Sequence, residues 1–369
     1  LERWTDESQA SSKWGDCAMM EEVTDYLVRS FGFFKALHYH LVMLGVDVVS
    51  AVVILLFISL YVMAAIWVER KISAHMQDRL GPMVVGGWHG WAQSIADAIK
   101  LLMKEDIVPK LADKKLFVLA PMIVFGGSFA AYAALPFGRN IVASDLDIGL
   151  FYILAITSIV TVGIIMAGWA SNNKWSLLGA MRSAAQIVSY EIPVGLGVLT
   201  VVMLAGSLNF QVIVGAQDGG FWNWYGFPLR NPFTFIAMVI TFVATLAEVN
   251  RTPFDIPEAE SEIVAGYHTE YSGMKFAFFF LAEYADMFLV SALIVLLFLG
   301  GWNGPLGGII PLPGVVWFLL KVLLLVLVQM WMRWSLPRLR VDQLMYVSWK
   351  VLTPVAFADI LLLGVWMVV

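Results

Sequence analysis

The sequence predicts an all-α polytopic membrane protein, and three observations carry that prediction. The chain of 369 residues is 60% hydrophobic and only 14% charged, with a mean hydropathy of +0.79, so its apolar surface cannot all be hidden inside one soluble core. Apolar stretches long enough to cross a bilayer recur between polar breaks. The positive residues collect in every second break: sixteen of the 23 lysines and arginines fall in the odd-numbered loops. By the positive-inside rule those loops face the cytoplasm and both termini face the non-cytoplasmic side.

Residues 1–25 are polar and acidic and lack the basic start and apolar core of a signal peptide. Residues 26–43 set Tyr26, Leu27, Phe31, Phe34, Leu37 and Leu41 against Arg29, Lys35, His38 and His40, a pattern suited to lying along the interface. Together 1–43 form a polar tail and amphipathic segment, and 44–369 form a single transmembrane helix bundle without internal repeats. The first span is predicted over 44–68, stopped by Glu69-Arg70-Lys71. The long loop 69–115 contains the breaker Gly81-Pro82. It also holds an amphipathic helix, with Trp88, Trp91, Ile95, Ile99 and Leu102 on one face and Gln93, Asp97, Lys100 and Lys104 on the other. Further spans are predicted over 116–135, 150–170, 187–206, 232–250, 276–299, 315–333 and 349–368, giving about eight.

The charge that does not fit this pattern is the informative part. Between the fifth and sixth spans run Glu248, Arg251, Asp255, Glu258, Glu260 and Glu262, a density of carboxylates that is costly at a membrane surface. Asp255 followed by Glu258 reads as a capping box that starts a helix, with Pro257 in its first turn. If the preceding helix continues, Arg251 and Glu248 share a face and form an ion pair. Glu191, Glu283, Asp286, Lys321 and Asp359 also fall within predicted spans, where ionisable groups face the bundle interior and suit a proton relay.

Several functions are excluded. The one cysteine, Cys17, cannot ligate an iron–sulfur cluster. The five histidines offer no facing pair for a haem, no metal set is present, and there is no phosphate-binding glycine motif. Nucleic acid is not suggested. Arg79, Arg182 and Arg251 remain available at the cytoplasmic side to bind the polar head of an elongated apolar ligand.

Five loops, taken in order, then point to a family. They are Glu69-Arg70-Lys71 with Gln77-x-Arg79-x-Gly81-Pro82; Gln93-x-x-x-Asp97-x-x-Lys100-x-x-x-Lys104-Glu105; Ser171-Asn172-x-Lys174 with Arg182 and Ser189-Tyr190-Glu191; Arg251-Thr252-Pro253-Phe254-Asp255-x-Pro257-Glu258 with Gly266-Tyr267-x-Thr269-Glu270-Tyr271; and Arg338-x-Arg340-x-Asp342-Gln343. From about residue 44 onward the chain resembles the H-subunit family of respiratory complex I, the proton-translocating NADH:quinone oxidoreductase. The resemblance implies the membrane side of a quinone cavity in a bacterial cell inner membrane. Its implied partners are the peripheral-arm iron–sulfur subunits and the other membrane-arm subunits, with quinone as substrate and no flavin or iron–sulfur cluster on this chain. It assigns Arg79, Asp97, Arg182, Arg251, Glu258, Glu260 and Glu262 to the cavity and its loop, and Glu69, Glu191, Glu248 and Glu283 to the proton path. Where some relatives carry a glutamate in the third span, this sequence has Thr157-Ser158. The corresponding subunits of photosynthetic ferredoxin:plastoquinone oxidoreductases and of membrane-bound hydrogenases share much of the pattern.

Overall fold

The computed structural model describes residues 39–139, 141–257, 260–307 and 311–368; the polar tail, most of the amphipathic segment and Glu258 lie outside them. Among the described residues there are only helices, turns and one isolated bridge between Gly138 and Ile141. In chain order the helices are α1 (Tyr39–Met76), α2 (Gln93–Met103), α3 (Lys114–Ala131), α4 (Gly149–Ala170), α5 (Lys174–Ala205), α6 (Phe210–Gly215), α7 (Pro232–Glu248), α8 (Glu260–Ile263), α9 (Gly273–Phe298), α10 (Gly314–Ser335), α11 (Val341–Tyr346) and α12 (Thr353–Val368). A π-helical segment, Val347–Leu352, joins α11 to α12. Among the described residues seven helices are long and apolar enough to cross a membrane, and the shorter, apolar α7 corresponds to the fifth of the eight predicted spans.

Helix α9 is the axis. Its side chains are apolar nearly all round, the signature of a helix enclosed by others. In its most apolar stretch 78% of residues are buried, against 17% for α1. It touches α1, α2, α3, α5, α6, α7 and α10. Small residues permit close approach elsewhere. A Cβ on Gly163 of α4 would lie 2.6 Å from Val124 of α3, and one on Gly168 would collide with Ala180 of α5. Packing of this kind holds helices together where no hydrophobic driving force acts between them.

Side-chain caps set several helix starts. Asp113 accepts from the Lys115 and Leu116 N–H groups, Asn173 from Trp175, and Asn231 from Phe233 with Pro232 in the first turn. Three expected boundaries are corrected. Helix α1 runs on to Met76, so Glu69-Arg70-Lys71 does not end it. Helix α5 begins at Lys174 rather than 187, because Asn173 caps it there and its polar first turns lie beside the 266–268 turn. The last span is preceded by α11 and the π-helical segment, so helical structure starts at Val341 rather than 349.

Lys321, a cation inside α10, serves the backbone. Its ammonium donates to the carbonyls of Leu299 (2.6 Å), Gly301 (2.9 Å) and Asn303 (2.7 Å), using all three of its protons to tie down the loop after α9.

Candidate functional site

The site begins at the end of α7. Asn250 takes φ 52°, a left-handed conformation that asparagine tolerates. The Arg251 N–H then returns to the Leu246 carbonyl (3.3 Å) and the Asn250 N–H to Ala247 (3.1 Å), a Schellman closure. This turn swings Arg251 off the face that carries Glu248, so the ion pair expected between them does not form. Instead the Arg251 guanidinium lies 3.3 Å from Glu69 and 3.1 Å from Glu283, and 4.4 Å from the centre of the Tyr284 ring. Buried Gln186 of α5 fastens the turn by donating to the carbonyls of Ala247 and Phe254, each at 2.7 Å, and to the Asn250 side chain at 3.1 Å.

Glu69 is the centre of this cluster. It is 5% exposed and accepts from Tyr284 Oη (2.7 Å), from Arg251 and from Arg333 of α10. Two carboxylates and two guanidinium groups from α1, α9, α10 and the loop after α7 thus neutralise one another. Burial opposes the charge on Arg251, but Glu283 and Glu69 outweigh it and hold the guanidinium protonated. Each pair would be costly without its geometry, and losing one member would strand the others.

Beside the cluster opens a cavity of about 520 Å³ between α1, α2, α9 and α10. Its walls are mainly apolar, including Met63, Ile66, Leu101, Met274, Phe276 and Phe280, and its polar groups include Glu69, Arg70, Asp97, Tyr284 and Arg333. Arg70 pairs with Asp97 at 2.5 Å, which bridges α1 to α2, and Gln93 donates to the same carboxylate at 3.2 Å. The amphipathic helix is shorter than expected, because His89 takes a left-handed conformation and the helix runs only from Gln93 to Met103, leaving Trp88 and Trp91 before it and Lys104 after it; it turns Asp97 toward the cavity and leaves Ile95, Ile99 and Leu102 exposed.

A second, smaller cavity of about 40 Å³ lies on the other side of α9. Three carboxylates line it, Glu191 of α5, Glu248 at the end of α7 and Asp286 of α9, with Thr157, Ser158 and Thr161 of α4 opposite. Among the described residues that line it there is no lysine or arginine. Glu283 and Asp286 are three residues apart on α9, hence neighbours on its surface. They link the charge-balanced cluster to this acidic pocket.

The loop after α7 is anchored, though not by a helix starting at Asp255. Residues 255–257 are not helical, and the next described helix begins at Glu260. Asp255 is drawn away from a capping position by Arg338, with which it pairs at 3.4 Å, while the Pro253 carbonyl accepts from the Leu339 N–H. Burial raises the Asp255 carboxyl above its ordinary value, a rise that Arg338, Arg333 and Arg251 reduce. Farther along, Gly266 packs so closely on Gly179 of α5 that a Cβ on Gly179 would lie 2.7 Å from its Cα. Burial of His268 pushes its imidazole down to about 4.

The predicted residues separate accordingly. Glu69, Asp97, Arg251 and Glu283 meet in or beside the large cavity, and Glu191 and Glu248 in the small one. Arg182 and Glu262 pair at 2.6 Å, outside both linings. Arg79 is exposed just after α1 and also outside them. Glu258 and the Glu260 side chain fall outside the described residues. Sequence reasoning misses Arg333 and Tyr284, since the first reads as a positive charge closing a span and the second as one aromatic among many. The adjacency of Tyr284 to Glu283, an acid inside a span, is the signal that could have found it.

The chain matches the model of a family described as NADH dehydrogenase over residues 49–364. It is 55% identical over 338 residues to the NADH-quinone oxidoreductase H subunit of Chlorobaculum parvum, covering 88% of this chain and 93% of that protein. The H subunit of Bacillus mycoides is 51% identical over 311 residues (84% and 91%), and that of Anaeromyxobacter dehalogenans 48% over 324 (82% and 77%).

Proposed function

The chain belongs to the NADH dehydrogenase family, as a relative of the NADH-quinone oxidoreductase H subunits, and from that premise we propose that it forms the membrane side of the quinone cavity and couples quinone reduction to proton translocation. As a member of this family it is a multi-pass membrane subunit of an oxidoreductase complex. The observation that carries the reading is the pairing of the two cavities across α9. One is apolar, of ligand size and headed by a neutralised ionic cluster; the other is small and acidic. A quinone needs what the first offers, apolar walls for its tail and a few polar groups for its head.

Reduction of a quinone to the quinol consumes two electrons and two protons. The electrons come from partner subunits, the iron–sulfur proteins of the peripheral arm, since this sequence has no ligands for a cluster. What this chain supplies is the charge response. Negative charge arriving near Arg333 and Arg251 competes with Glu69 and Glu283 for the same guanidinium groups. Any weakening of the Arg251–Glu283 pair alters the field at Asp286, one turn along α9, and through it at Glu191 and Glu248. The membrane is the bacterial cell inner membrane, with both termini on the non-cytoplasmic side and the 248–273 loop facing the peripheral arm.

A photoreactive short-chain quinone added to the intact complex tests the binding half. Labelling within 274–284 of α9, competed by native quinone, supports it, and labelling confined to other subunits contradicts it.

A further inference from the structure

Two serines bond carboxylates of the acidic pocket in the same way, and Ser158 also lines it. Ser158 Oγ lies within hydrogen-bond reach of a Glu191 oxygen and 3.0 Å from the carbonyl of Leu154, four residues back on α4. Ser128 Oγ lies 2.9 Å from Asp286 Oδ2 and 3.2 Å from the carbonyl of Val124, four residues back on α3. A hydroxyl has one proton to give and two lone pairs. Each serine therefore has two acceptors and can satisfy only one of them at a time.

We propose that Ser158 and Ser128 are paired hydroxyl rotors that keep Glu191 and Asp286 hydrogen-bonded in both charge states, so that the oxygen facing each serine keeps its partner when these carboxyls exchange protons; the other Asp286 oxygen, Oδ1, is buried without a hydrogen-bond partner among the described residues. The proposal rests on the proton-coupling role given above to the acidic pocket. With Glu191 ionised, Ser158 donates to it in a charge-assisted bond, stronger than a neutral one. With Glu191 protonated, the carboxyl donates to Ser158, whose own proton turns back to Leu154. Ser128 alternates in the same manner between Asp286 and Val124. Only rotation about one Cβ–Oγ bond is needed, and the helix loses nothing in either state. The titratable groups in the pocket that Ser158 lines are Glu191 from α5, Glu248 from α7 and Asp286 from α9; Ser128 faces Asp286, with Glu283 one turn from it on α9. Fixed cations hold Glu69 in one state, whereas the acidic pocket has rotors in place of cations. Both serines are positioning residues.

The test uses the intact complex in sealed membranes, with Ser158→Ala, Ser158→Thr and Glu191→Gln, alone and combined, and Ser128→Ala and Ser128→Thr in parallel. The measurements are the pH profile of quinone-dependent NADH oxidation, proton pumping, and the carboxyl C=O stretch in pH-difference infrared spectra. Removing a hydroxyl takes a charge-assisted bond from the ionised carboxyl and only a neutral bond from the protonated one. Ser158→Ala should therefore move the acid limb of the profile to higher pH by about half to one unit and shift the carboxyl band. Ser158→Thr, which keeps the hydroxyl, should restore both, and in the Glu191→Gln background Ser158→Ala should change neither. An unchanged profile and band in Ser158→Ala, or a shift that persists in Glu191→Gln, overturns the rotor. If Glu191→Gln impairs pumping while Ser158→Ala is silent, the rotor alone fails. If Glu191→Gln pumps at the native level, the acidic path and the rotor fail together.

Discussion

At the scale of single residues, the molecule separates carboxylates that face fixed cations, Glu69 and Glu283, from those that line a pocket without lysine or arginine, Glu191, Glu248 and Asp286. Arg251 is the main such cation, since it stands between Glu69 and Glu283 at 3.3 and 3.1 Å and is 2% exposed. Arg251→Ala should leave two buried carboxylates short of a counter-charge, at a cost of about 3–5 kcal/mol. It should lower the thermal stability of the assembled complex and raise the apparent quinone KM, and thermal inactivation and steady-state kinetics on the same membranes check both. Native stability with native KM would show the guanidinium to be dispensable. These pairs are not legible in the sequence. Glu69 and Arg333 lie 264 positions apart and Glu69 and Arg251 182, so no local spacing brings them together. The one pairing that local spacing suggests, Arg251 with Glu248, fails because Asn250 turns the chain.

At the scale of elements, the spans are legible in the sequence and their ends are not. Length and apolarity define a span, but polar residues within a helix that continues past the bilayer look like loop, and this misplaces both the end of α1 and the start of α5. The extra turns of α5 matter because they carry Gly179, on which the 266–268 turn rests. Gly179→Ala should overpack that contact by about 1–3 kcal/mol and increase amide exchange in 264–271 while leaving α9 protected; exchange unchanged in that segment would refute the contact. The same segment should loosen in acid. His268 has its folded value depressed to about 4 from the ordinary 6.5, so the unfolded segment takes up a proton where the folded one does not. Its packing is fully stable above about pH 6.5 and weakens as pH falls toward 4. Hydrogen exchange at pH 7 and pH 5, corrected for intrinsic rates, should show lost protection around 266–271, and His268→Phe should remove that difference.

At the scale of the whole molecule, α9 divides a large, mainly apolar cavity from a small acidic pocket, and Glu283, Tyr284 and Asp286 on its surface reach both sides. The all-α membrane architecture follows directly from composition and charge placement. The division into two cavities does not, because it depends on which faces of several helices meet. Isolated in detergent, the chain should show neither a flavin nor an iron–sulfur spectrum and no NADH oxidation, and either spectrum would require ligands that its sequence lacks. The most direct test of the two-cavity account is Glu248→Gln in the intact complex, with quinone-dependent NADH oxidation and proton pumping followed together in sealed vesicles. Glu248 lines the acidic pocket and not the large apolar cavity. The account predicts that turnover and pumping fall together while the quinone KM stays within about twofold of native; full turnover with full pumping would contradict it.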